Sequence, residues 1–131
     1  MLAERLQKQL NFIMEIDRLK QIYRVNILTD KSRRETSAEH SWHLAVMALL
    51  LAEYIDVPNI DLLRVLKMVL IHDLVEIYAG DTYCYDEQAL LDKDCREQQA
   101  AARLFAMLPD DQKQEFYSLW QEFEQETSPE T

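Results

Sequence analysis

VLIHDLVEIYAGD, residues 69–81, joins an apolar run directly to an imidazole and three carboxylates. It closes a longer stretch in which Ile60, Leu62, Leu63, Val65, Leu66, Met68, Val69, Leu70 and Ile71 fall on nearly every side of a helical wheel rather than along one stripe. That pattern predicts a helix over about residues 60–78, and a helix without a polar face is usually central to its fold. Packing gives such a helix no use for His72, Asp73, Glu76 and Asp81 at one end. Gly80, the only glycine of the chain, fits the left-handed position that terminates helices and turns Asp81 back toward that same end.

The flanking sequence predicts further helices. Leu2, Leu6, Leu10, Ile13, Ile16 and Leu19 step by three or four, which marks an amphipathic helix to about residue 22. RVNILTDKSRRET, residues 24–36, loses that rhythm, carries several basic residues and reads as a loop. Thr36, with Glu39 three residues later, matches a capping box and starts a second helix with His40 in its first turns. Trp42, Ala45, Val46, Leu49 and Leu50 form its expected buried stripe; Val57-Pro58 stops it, and Asn59 is placed to cap the next helix. Leu91, Cys95, Ala102 and Phe105 mark a fourth helix, punctuated by Pro109. Phe116, Leu119, Trp120 and Phe123 mark a fifth. With 131 residues, few helix breakers and no internal repeat, the chain reads as a single all-α domain, residues 1–131, of about five helices.

Composition narrows the function. A net charge of −10 disfavours nucleic acid polymers and anionic membranes as partners. No apolar run approaches the roughly 18 residues that span a bilayer, and the N-terminal MLAERLQKQLNF is too charged for a signal peptide. A cytoplasmic protein is therefore expected. Cys84 and Cys95 lack metal-binding spacing and are expected as free thiols.

The chemistry gathers at the end of the central helix. Glu76 lies four residues beyond His72 and three beyond Asp73, so it shares a side with both. His72 and Asp73, being adjacent, diverge by about 100° on an ideal helix. Imidazole with carboxylate suits Mn, Fe, Co, Ni or Zn better than Ca. Only His40 and His43 remain as further histidines. His40, at a helix start beside an irregular segment, is the better ligand candidate; His43 is a second ligand, a supporting group or a packed ring. A buried His–Asp pair alone is more often a structural hydrogen bond. The addition of His40, Glu76 and Asp81 points to function.

SAEHSWHLAVMALLLAEY (37–54) followed by KMVLIHDLVEIYAGDTY (67–83) resembles the HD-domain metal-dependent phosphohydrolases, and more narrowly the branch that includes the 5′-deoxynucleotidases. The likeness runs from LKQIYR at residue 19 to LWQEFEQETSPE at residue 130. It implies an HD-domain helical bundle and a divalent ion (Mn, Co, Fe, Ni or Zn) held by His40, His72 and Asp73. It also implies Glu76 and Asp81 as carboxylates around the phosphate and the attacking water, and Arg24 as a nucleotide contact. The reaction implied is hydrolysis of a small-molecule substrate, a deoxynucleoside 5′-monophosphate, by a homo-oligomer, expected as a dimer. The family normally adds a fourth ligand, an Asp on a later helix after a segment similar to TSPE. Asp92, Asp94, Asp110 and Asp111 do not occupy that place, so the C-terminal part of the family domain is expected to be missing here, through truncation or true loss. Two alternatives keep the same fold: an HD hydrolase of cyclic nucleotides, alarmones or deoxynucleoside triphosphates, and a non-catalytic helical relative.

Overall fold

Five helices of 11 to 17 residues carry the chain in the computed structural model, which describes residues 2–27, 30–79 and 89–125. They are α1 (Leu2–Ile16), α2 (Ser37–Leu51), α3 (Leu62–His72), α5 (Ala89–Phe105) and α6 (Asp110–Gln125), with the one-turn α4 (Glu76–Ala79) between α3 and α5. The fold is all-α, as the sequence predicts, apart from one antiparallel pair, β1 (Tyr23–Ile27) and β2 (Arg34–Thr36). Gly80, Asp81, Cys84 and the ETSPET tail beyond Gln125 lie outside the described residues. No helix among the described residues is long and apolar enough to cross a membrane.

The chain divides into two compact units, residues 1–19 with 74–117, and residues 20–73 with 118–131. In the first, α4 packs on α5, and the core holds Phe12, Leu74, Val75, Ile77, Ala100, Ala101, Leu104, Phe105 and Leu108. Phe105 meets Phe116 edge-on at 6.1 Å, and Phe116 meets Phe12 edge-on at 5.9 Å. Tyr78 is buried between the guanidinium groups of Arg18 and Arg103, at 5.5 and 3.9 Å from its ring centroid. Burial, then the hydrogen bond to Glu15, raises the Tyr78 hydroxyl above its ordinary pKa.

The expected stripe of the first helix turns inward only at its C-terminal end. Of the expected residues Leu2, Leu6, Leu10 and Ile13 are exposed, Ile16 is half-buried and Leu19 is buried, as is Phe12 from outside the stripe. The inward face instead runs Arg5, Gln9, Phe12, Ile16, Leu19, and α6 explains it. Arg5 Nη1 and Nη2 donate to the two carboxylate oxygens of Asp111 (2.7 and 3.0 Å), Gln9 Nε2 donates to Gln112 Oε1 (2.9 Å), and Phe12 meets Phe116. Two polar pairs thus occupy positions that hydrophobic periodicity assigns to solvent. Cys95 also departs from expectation. It is disulfide-bonded, not a free thiol, because spacing along a chain does not report the Cα separation on which pairing depends.

In the second unit, β1 and β2 pair as antiparallel strands where the sequence reads as a loop. Tyr23 pairs with Thr36 and Ile27 with Arg34, with a register shift between them. The usual Asn-Gly signal is absent; Asp30 Oδ1 accepts from the Ser32 amide (3.0 Å) and Lys31 takes a left-handed backbone, φ 62°. The capping box of α2 is present as predicted: Thr36 Oγ1 accepts from Glu39 N (3.2 Å), and Glu39 Oε1 accepts from Thr36 N (2.8 Å). The stripe of α2 is again misplaced, since Trp42, Leu49 and Leu50 are exposed while Ser37 and Ser41 are buried. Small side chains lead the inward face, where α2 packs against α3.

The central helix is shorter than its apolar run. Asp61, not Asn59, caps α3, accepting from the Arg64 amide at 3.2 Å; Asn59 is itself left-handed, φ 62°. The helix then ends at His72. Asp73–Val75 form a 3-10 turn before α4, so residues 60–78 are not one helix. Met68 and Ile71 are buried, while Leu63 and Leu70 face solvent.

Candidate metal centre

That break decides the geometry of the site. On a continuous helix His72 and Asp73 would diverge. Instead Asp73 is the C-cap residue (φ −88°, ψ −5°), and its carboxylate swings beside the neighbouring ring, Oδ1 standing 3.2 Å from His72 Nε2. His40, in the first turn of α2, faces His72 with ring centroids 6.3 Å apart. One ligand atom from each of His40, His72 and Asp73 lies within 4.8 Å of the others, a group that can hold a metal ion.

The surroundings fix what each group offers. His72 Nδ1 lies 2.6 Å from the Val69 carbonyl oxygen. A carbonyl only accepts, so Nδ1 carries a proton and Nε2 is the nitrogen whose unshared pair can serve a metal. Nε2 then faces an Asp73 oxygen at 3.2 Å, a pairing that either a proton on Nε2 or a bound cation satisfies. Asp73 is 7% exposed, and its Oδ2 is buried without a hydrogen-bond partner. A buried carboxylate oxygen left in that state is costly. The donor set, two imidazoles and a carboxylate, is one that Mn, Fe, Co, Ni and Zn accept. The residues present therefore fit a divalent metal. Phe123 of α6 packs against the His72 ring at 4.5 Å and restricts its rotation.

Arg24 and Glu35 complete the cluster from β1 and β2. Arg24 Nη1 is 3.5 Å from Asp73 Oδ2, and Arg24 Nε is 3.5 Å from Glu35 Oε1. The same Glu35 oxygen lies 3.2 Å from His40 Nδ1. The sequence reading singles out Arg24 but misses Glu35, which sits in the segment read as a loop. Its only local signal is its place next to the cap residue Thr36.

The remaining candidates separate. His43 is exposed and stacked on Trp42 at 6.1 Å, away from the ligand group. Arg33 pairs with Glu39 and thereby supports the start of α2. That pair, and then the Thr36 amide, hold the Glu39 carboxyl down to a pKa of about 2. Glu76 is half-buried at the start of α4 in the first unit, and Asp81 falls outside the described residues.

Comparison with known proteins agrees with this geometry. A family profile described as HD domain matches residues 16–131. A human protein named 5′-deoxynucleotidase HDDC2 is 31% identical over 92% of this chain and 58% of its own length. Its zebrafish (Danio rerio) counterpart of the same name is 28% identical over 95% of this chain and 61% of its own length. A crystal structure described as a predicted metal-dependent phosphohydrolase from Magnetospirillum magnetotacticum superposes with a TM-score of 0.85 at 54% identity, covering 97% of this chain and 64% of that one. The chain thus spans about three fifths of the length of the curated relatives it matches.

Proposed function

This chain belongs to the HD-domain family, and from that premise we propose that it is a metal-dependent phosphohydrolase releasing phosphate from deoxynucleoside 5′-monophosphates. The observation that carries the proposal is the convergence of His40, His72 and Asp73 on one point, with a buried Asp73 oxygen left unbonded. The names of the relatives, 5′-deoxynucleotidase and predicted metal-dependent phosphohydrolase, supply the substrate class and the reaction class.

In this reading His40, His72 and Asp73 hold the divalent ion, whose identity among Mn, Co, Fe, Ni and Zn is open to assay. When bound, the ion supplies Lewis acidity toward a phosphoryl oxygen and acidifies water. The chain's own groups do the rest. Val69 holds the His72 tautomer through its carbonyl. Arg24, a permanent cation beside Asp73, meets phosphate charge with charge-assisted hydrogen bonds. Glu76 and Asp81 take the proton work, one orienting or deprotonating water and the other assisting the leaving oxygen. That assignment rests on their place after His72 and Asp73 in the sequence.

The test is phosphate release from a panel of deoxy- and ribonucleoside 5′-monophosphates with Mn²⁺ or Co²⁺, beside Asp73→Ala. Metal-dependent release that disappears in Asp73→Ala supports the proposal. A folded wild-type chain that releases phosphate from no monophosphate overturns it. Release from cyclic nucleotides or deoxynucleoside triphosphates instead would keep the reaction class and replace the substrate.

A further inference from the structure

Glu35 is the one carboxylate of the cluster that the metal-centre reading leaves without a task. It sits in β2, its side chain 14% exposed, and a single oxygen serves two partners. Oε1 lies 3.2 Å from His40 Nδ1 and 3.5 Å from Arg24 Nε. Arg24 Nη1 in turn lies 3.5 Å from Asp73 Oδ2, and Asp73 Oδ1 lies 3.2 Å from His72 Nε2. The five side chains therefore form one continuous polar chain, His40–Glu35–Arg24–Asp73–His72. Glu35 stands outside the proposed ligand set yet touches both His40 and Arg24, as Asp73 within the set touches both His72 and Arg24.

We infer that Glu35 is a positioning residue that sets the tautomer of His40 and, through the same oxygen, the pose of Arg24. A carboxylate accepts and does not donate, so contact with Nδ1 places the His40 proton there and leaves the unshared pair on Nε2. His72 reaches the same state by a different partner, the Val69 carbonyl. The two rings are thus held in one tautomer by two independent acceptors, one from the backbone of α3 and one from β2. Groups that orient a metal-binding histidine through its second nitrogen typically change metal affinity about 10–100-fold when removed. Arg24 Nε stands 3.5 Å from Glu35 Oε1 as an ion pair without a hydrogen bond, while Nη1 stands 3.5 Å from Asp73 Oδ2. This inference rests on the proposed metal centre, and its consequence is specific: loss of Glu35 weakens the metal and the anion together, though it belongs to neither list of contacts.

The experiment compares wild type, Glu35→Ala, Glu35→Gln and Arg24→Lys without substrate. Side-chain ¹⁵N spectra of the metal-free proteins report histidine tautomers directly. In wild type His40 and His72 both show a protonated Nδ1. In Glu35→Ala only His40 loses that preference, with His72 as the internal reference. Mn²⁺ titration then finds a Kd raised about 10–100-fold in Glu35→Ala and less in Glu35→Gln, whose amide oxygen still accepts from Nδ1. Inorganic phosphate added to the Mn²⁺-loaded proteins binds more weakly to Glu35→Gln and to Arg24→Lys than to wild type. If wild type binds no Mn²⁺, the metal-centre reading fails. If wild type binds Mn²⁺ while Glu35→Ala keeps the His40 tautomer and binds within about twofold, the centre stands and the role of Glu35 is overturned. Should Glu35→Ala not fold, Glu35→Gln carries the test through phosphate affinity, where equality with wild type overturns the link to Arg24.

Discussion

At the scale of the residue, Asp73 is held in a state that stability alone does not favour. Its carboxylate is buried, Oδ2 lacks a hydrogen bond and has only Arg24 Nη1 at 3.5 Å, and Oδ1 faces His72 Nε2. Asp73→Asn keeps the shape, removes the buried charge and can donate to His72 Nε2. It is expected to raise the stability of the metal-free protein by about 1 kcal/mol, measured by urea unfolding in EDTA. The same substitution removes stabilisation by metal, which in wild type reaches about 2.7 kcal/mol at a hundredfold excess over Kd. A variant less stable than wild type without metal would show that the carboxylate is structural. Glu39 shows the opposite case, a carboxylate whose charge the fold favours. Arg33 and the Thr36 amide depress its pKa from 4.5 to about 2. With a folded value below the unfolded one, its contribution is complete above pH 4.5 and is lost as pH falls toward 2. Carboxyl ¹³C titration should place its midpoint near 2, and Arg33→Ala should move that midpoint upward. The two residues also differ in legibility. Thr36 and Glu39 form a local pattern three residues apart, readable in any sequence. The role of Glu35 depends on β1 and β2 pairing across the chain, which no local pattern encodes.

At the scale of the element, helices were legible and their faces were not. Apolar spacing finds α1 and α2, yet Arg5 and Gln9 of α1 make the pairings to α6, and Ser37 and Ser41 are buried in α2. These polar residues take those positions because partners on other elements or small size permit it, information that periodicity does not hold. The break at Asp73 was hidden for a related reason: Leu74 and Val75 continue the apolar run, so only the backbone reveals the 3-10 turn that brings His72 and Asp73 together. The N-terminus of α2 is the most consequential end in the fold, since it carries His40. Thr36 is buried, caps the helix and sits next to Ser37, whose amide donates to the Ile22 carbonyl at 2.7 Å. Thr36→Ala is expected to cost about 1 kcal/mol by chemical denaturation, and to weaken Mn²⁺ binding because His40 rides on the loosened turn. Thr36→Ser, which restores the acceptor, should recover most of both. In α5, Phe105 is fully buried against Phe116 and Tyr117. Phe105→Ala should lose about 3–5 kcal/mol without changing the tautomer of either site histidine if the folded fraction is compared.

At the scale of the whole molecule, charge and exposed apolar surface oppose each other. Trp42, Leu49 and Leu50 recur at i, i+7 and i+8, so they share one face of α2, and that face is exposed; Leu2, Leu6 and Met14 of α1 are exposed as well. Surfaces of this kind favour association. Against them stands a net charge of −10 at neutral pH, with 24 acidic and 14 basic side chains, which keeps copies apart by repulsion. The balance must shift wherever that charge is removed. The isoelectric point near 4.7 locates the shift in acid, and at neutral pH added salt produces a weaker version by shortening the reach of the repulsion to about 3 Å at 1 M. Light scattering should therefore rise as pH approaches 4.7 and fall again on return to neutrality. Replacing Leu49 and Leu50 together by Ser should reduce that rise while leaving the isoelectric point unchanged, because neither residue carries charge. Equal scattering from the double variant would mean that the face of α2 takes no part and that charge neutralisation acts through other surfaces. The site histidines add a consequence at the same scale. Mn²⁺ bound at His40, His72 and Asp73 adds two charges less the protons its ligands release, so at neutral pH metal-loaded protein should begin to associate at a slightly lower salt concentration than metal-free protein. In Asp73→Ala, which lacks a carboxylate ligand, the metal-dependent part of that displacement should vanish.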